Sequence, residues 1–190
     1  MATLRISNKT YSYKDFLPFL DGSVKVTIDS NAKKDIKNSY SNLLENLSSG
    51  KTIYGVNTGF GRLSQIKIEE QDQSKLQLNL VRSHSAGVGK YLDAGIVRMI
   101  MALKVLNYSH GYSGVHPDTV DQLVKFINNE VLPAVPEKGS VGASGDLAQL
   151  AHIASSLIGE GKIIRGKKVV TSKNVLNKLK IKPLKLRQKD

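Results

Sequence analysis

The chain has 190 residues, of which 40% are apolar and none is cysteine. That is enough for one domain with its own core, and it excludes disulfides and thiolate metal sites. The formal charge of +12 comes from 28 basic and 16 acidic residues, and no apolar run approaches the roughly 18 residues of a membrane span.

The first residues, MATLRISNKTYSYKDF, lack the apolar core of a signal peptide, so a cytoplasmic location is the expectation. VKVTI (24–28) reads as a short strand, and Ser30 as the cap of a helix running through NLLENL to a stop at Gly50. A glycine-punctuated loop, 54-YGVNTGFGRLS-64, follows. A helix from about Glu69 should bury Leu76, Leu80 and Val81 on one face, with His84 at the next step. Asp93 is placed to cap a helix with the stripe Ile96, Met99, Ile100 and Leu103, and Pro117 suits the first turn of another reaching about Asn129.

LPAVPEKG interrupts regularity before a helix carrying Leu147, Leu150, Ala151, Ala154 and Leu157. In it, 146-DLAQ-149 has the form of a capping box, with Asp146 as cap and Gln149 at the third helical position. KIIRGKKVV reads as a hairpin turning at Gly166, and a short helix ends before Pro183. The fold class is mainly α with a few short strands. From Lys162 to Asp190 there are eleven Lys/Arg and one acid, net +10, which leaves +2 for the rest of the chain. Such a basic segment can bind nucleic acid, but it has no aromatic residue on which bases would stack, so a solvated face is the preferred reading.

Standard catalytic templates fail along the chain. A P-loop needs Lys after its last glycine, where Gly145 is followed by Asp146; a nucleophile elbow needs a second glycine, and Ser144 has Asp146 in that place. Histidines 84, 110, 116 and 152 show no metal-ligand spacing, and no metal is expected. Ala143-Ser144-Gly145 allows a different chemistry. In a tight turn the Gly145 nitrogen can close on the Ala143 carbonyl, and loss of water from the ring and from Ser144 leaves an exposed methylidene electrophile. Alanine is small, serine supplies the leaving hydroxyl, and glycine supplies an unhindered nitrogen on a permissive backbone. The N-terminus of the following helix would place partial positive charge beside the ring.

The segment 139-GSVGASGDLAQLAHIA-154 closely resembles the signature of the aromatic amino acid ammonia-lyases and aminomutases, and 54-YGVNTGFGRL-63 and 79-NLVRSHSAGVGK-90 agree in order and spacing. The resemblance implies the helical fold of these lyases, shared with the fumarase/aspartase group. It implies a 4-methylideneimidazol-5-one (MIO) cofactor made from Ala143, Ser144 and Gly145, with Asp146 supporting the site. Tyr54 would be the base that removes the substrate β-proton, and the loop glycines would make its segment a mobile lid. Ser83 and His84 would face the substrate ring, a pair that looks like the histidine lyases, with tyrosine as the competing substrate and an aminomutase as the competing activity. Gln149 stands where the family most often has proline. Members are more than twice this length and form homotetramers, so residues 1–190 would be an N-terminal domain without the C-terminal helical bundle, poorly active alone. Expected partners are a small amino acid substrate and further copies of the chain, with no membrane. A non-catalytic basic module binding nucleic acid through residues 162–190 is the reading from another class.

Overall fold

In the computed structural model of the chain, residues 2–142, 147–166, 168–187 and 189 are described. Strand β1 (Ala2–Ile6) pairs in parallel with β2 (Val24–Ile28), Ala2 opposite Val24. Two short 3-10 turns between them place Phe16 and Phe19 in the core. Helix α1 (Ser30–Ser48) is capped by the Asp29 carboxylate, which accepts the Asn31 N–H at 2.8 Å. Ser30 is therefore the first helical residue rather than the cap. Gly50, at φ +80°, ends the segment in the left-handed region that glycine tolerates.

Helix α2 (Glu70–His84) buries a different face from the one its leucines suggest. Gln73, Gln77 and Val81 are buried, while Leu76 and Leu80 are only partly so. The cause is polar. Gln73 Nε2 donates to the Ile68 carbonyl at 3.3 Å and Gln77 Nε2 to the Gly55 carbonyl at 3.1 Å, so the glutamines satisfy loop carbonyls that would otherwise be buried unpaired.

Helix α3 (Ala94–Ser109) is apolar nearly all round, and the packed stripe is Val97, Met101, Ala102 and Val105. The expected stripe lies outside it: Ile96 and Leu103 are exposed, and Met99 and Ile100 are half-buried. Arg98 joins the buried face because it has partners there, donating to Glu130 Oε2 at 2.6 Å and to the Phe19 carbonyl at 2.7 Å. Helix α4 (Pro117–Asn128) starts on Pro117 as expected, with His116 Nδ1 accepting the Asp118 N–H.

The interrupted region supplies strands. β3 (Val88–Tyr91) pairs antiparallel with β5 (Pro136–Lys138), and β4 (Leu132–Pro133) joins a sheet of order β4-β6-β7 with the hairpin β6 (Lys162–Arg165) and β7 (Lys168–Thr171). Gly166 sits in the hairpin turn at φ +59°. Helix α5 (Ala148–Leu157) has Leu147 at its N-cap, so Gln149 occupies the second helical position rather than the third, and Asp146, the expected cap, lies outside the described residues. Helix α6 (Ser172–Lys178) follows β7. The basic C-terminal segment is thus folded into the domain: Ile163, Val175 and Leu176 are buried, Lys162, Arg165, Lys168, Lys173 and Lys178 are exposed, and Arg187 is half-buried and paired with Asp118. Among the described residues no helix is long and apolar enough to cross a membrane.

Candidate active site

The loop from Lys51 to Ile68 is held by its own polar residues. Asn57, buried, accepts the Ile53 N–H on Oδ1 at 2.7 Å and donates from Nδ2 to the Lys51 carbonyl at 2.8 Å. Thr58, also buried, accepts the Gly55 N–H and donates to the Gly59 carbonyl. The glycines serve tight geometry: Gly55 has φ +69°, and a Cβ on Gly59 would lie 2.6 Å from Leu63 Cβ. The interior of the loop is a packed, hydrogen-bonded turn.

Tyr54 stands out of this turn, 59% exposed, its ring edge-on to Phe60 at 5.8 Å, with the Gly61 N–H donating to its hydroxyl at 3.3 Å. His84, the last residue of α2, is partly buried. Its Nδ1 lies 2.9 Å from the Leu80 carbonyl, which can only accept, so that nitrogen carries a proton. Ser83 is exposed, and its hydroxyl contacts His84 Nδ1 at 3.0 Å and donates to Leu80 O at 3.1 Å.

Tyr54 and His84 line one cavity of about 610 Å³ together with Leu147, Leu150, Ala151 and Ala154. The helix that opens just after residue 146 therefore faces the tyrosine and the histidine. Ser83 does not line this space; it acts on His84 from outside. Ala143, Ser144, Gly145 and Asp146 lie outside the described residues. Their flanks are pinned: Val141 and Leu147 form an antiparallel bridge and the Ala148 N–H donates to the Ser140 carbonyl at 3.0 Å, so the chain enters and leaves the segment side by side. Gly139 allows this approach, since a Cβ there would stand 2.7 Å from Ala148 Cβ. Condensation of Ala-Ser-Gly requires the Gly145 nitrogen to approach the Ala143 carbonyl carbon, and a segment closed at its flanks is compatible with such a turn.

Two cavity residues were not legible as site residues. Lys104 and Tyr108, one turn apart on α3, both line it, with the Lys104 ammonium 4.6 Å from the Tyr108 ring centroid. Burial pushes the Lys104 ammonium below its ordinary range, and the like charge of Lys189 adds to the effect. The signal available was a lysine inside an apolar helix that also carries Arg98, which is too common to single out.

The sequence profile of the family described as aromatic amino acid lyase matches residues 11–190. The chain belongs to the aromatic amino acid lyase family. Within the relatives of this family, it is 40% identical over 190 residues to histidine ammonia-lyase of Aliivibrio fischeri, covering 100% of this chain and 37% of that protein. It is 42% identical over 185 residues to histidine ammonia-lyase of Treponema denticola, covering 97% of this chain and 36% of that one. Its fold is similar to a crystal structure of tyrosine aminomutase from Streptomyces globisporus, with a TM-score of 0.91 and 32% identity over 98% of this chain and 35% of the other. The chain thus spans little more than a third of the length of the curated relatives it matches.

Proposed function

We propose that the chain is the N-terminal part of an ammonia-lyase that deaminates an aromatic amino acid without oxidation, with L-histidine as substrate and urocanate and ammonia as products. The observation that carries this is the convergence of Tyr54, His84 and the first turn of α5 on one cavity. The relatives named histidine ammonia-lyase support the choice of substrate.

In this reading Ala143, Ser144 and Gly145 would carry the MIO group, which supplies an electrophile for release of the substrate amine. Tyr54 takes the β-proton at its phenolic oxygen. His84 orients the substrate ring, Ser83 holds His84, and Asp146 supports the site. The apolar residues of α5 exclude water from the ring side of the cavity. The complete enzyme would be a cytoplasmic homotetramer, with residues 1–190 as its N-terminal domain. Likeness to the tyrosine aminomutase favours a second reading, a tyrosine lyase or aminomutase of the same family.

Two measurements on the full gene product test the proposal. Intact mass should be lower than the sequence mass by two waters, and ammonia should be released from histidine in preference to tyrosine and phenylalanine. Failure with all three substrates defeats the lyase reading, and a β-amino acid product transfers it to an aminomutase.

A further inference from the structure

We propose that His152 is a positioning residue, whose Nε2 latches the segment after His84 to helix α5 and so keeps His84 in register with that helix. This rests on the site assignment above. His84 ends α2, and three residues later the Gly87 N–H donates to His152 Nε2 at 3.0 Å. His152 does not line the cavity, so its influence must pass through what it holds.

The surroundings are built for this bond. A Cβ on Gly87 would stand 3.0 Å from His152 Nε2, 3.1 Å from Pro136 Cβ and 3.2 Å from the Lys138 carbonyl. A Cβ on Gly139 would stand 2.7 Å from Ala148 Cβ and 3.5 Å from Gly87 Cα. Two glycines thus bring the segment after α2, strand β5 and helix α5 together at one point, four residues along α5 from Ala148. The half-buried Gly87 amide finds its acceptor in the imidazole. The imidazole supplies it only when Nε2 carries no proton. Burial, and secondarily Lys162, depress the His152 pKa from 6.5, which favours that form. Without the latch the chain leading from His84 could move relative to α5, and a displacement near 1 Å between substrate-orienting and reacting groups lowers turnover by about 100-fold.

The test uses the full gene product with three variants. His152→Phe keeps a flat ring without the acceptor; His152→Gln returns an acceptor oxygen near the Nε2 position; Gly87→Ala keeps the amide but presses a methyl on the imidazole. Hydrogen exchange of residues 85–91, intact mass, kcat and KM are read on each. His152→Phe should keep the two-water mass deficit, speed exchange at 85–91 and lower kcat by about 10-fold or more, with KM changed less. His152→Gln should restore most of both losses, and Gly87→Ala should reproduce the fall in kcat. Exchange at 85–91 that ignores His152→Phe overturns the latch. So does an equal loss in the Phe and Gln variants, or wild-type kcat in Gly87→Ala. Should His152→Phe not fold, the Gln and Gly87→Ala variants decide. The exchange readout judges the latch even where the wild type deaminates nothing, a result that would count against the activity alone.

Discussion

Residues 51–68 line the cavity through Tyr54, Phe60 and Gly61, whereas residues 85–91 follow His84, which lines it, and different forces hold the two segments. The first is tied by side-chain amides and a hydroxyl: Asn57 and Thr58 from within, Gln77 from α2. The second is held by the β3-β5 ladder and by the close packing of Gly87 and Gly139, and the Gly87–His152 bond ties it to α5. A hydrogen-bonded loop keeps its shape independently of its neighbours, so Tyr54 can project from it exposed. The second segment takes its place from β5 and α5, so the chain that leaves His84 is anchored to both. Proton removal and ring orientation would then depend on separate structural supports.

That separation can be broken from either side. The largest expected effect is on Tyr54: Tyr54→Phe removes the proton acceptor and should lower kcat of the full gene product by about 100-fold or more. Its ring packing on Phe60 remains, so thermal unfolding should barely change. Asn57→Ala should act in the opposite sense, on stability first. It orphans the Ile53 N–H and the Lys51 carbonyl and should cost ~2–3 kcal/mol in chemical denaturation. Gly139→Ala forces a methyl against Ala148 and should cost ~1–3 kcal/mol, since the contact is with an inflexible helix start. If it also lowers kcat while Asn57→Ala does not, the two supports are independent.

The smallest effect is on pH dependence. His152 has a folded-state pKa below 6.5, so the unfolded chain binds its proton first as pH falls. The contribution of His152 to stability is fully present above pH 6.5 and is lost as pH drops through the folded value. The charged or titratable groups on elements packed against α5 are Glu70, Asp72, Lys75, Arg82 and His84 on α2, Glu137 and Lys138 on β5, and Lys162 and Arg165 on β6. Of these, Lys162 adds to the depression. Denaturation curves should show a shallower decline below pH 6.5 in His152→Phe than in the wild type; parallel curves would remove the imidazole from the account.

Elements whose ends carry local signals were readable in the chain. VKVTI became β2, Pro117 opened α4, and Gly166 turned the β6-β7 hairpin, because alternation, a fixed φ and a permissive backbone act within a few residues. Tyr54 and His84 could be named from their motifs, and the structure brings both to one cavity. Faces were less legible. The leucines of α2 misled because Gln73 and Gln77 are buried through distant carbonyls, and α3 offered two apolar stripes with no local reason to prefer one.

What the amino-acid order offered by itself was therefore the candidate segment at 143–146, the residues flanking it and the main helices, since these depend on neighbours along the chain. Tertiary structure alone decided that Lys104 and Tyr108 share the cavity, that Ser83 stands outside it, and that His152 reaches back 65 positions to Gly87. Those contacts join groups far apart in sequence, and packing sets them through shape and buried hydrogen bonding that no local pattern encodes.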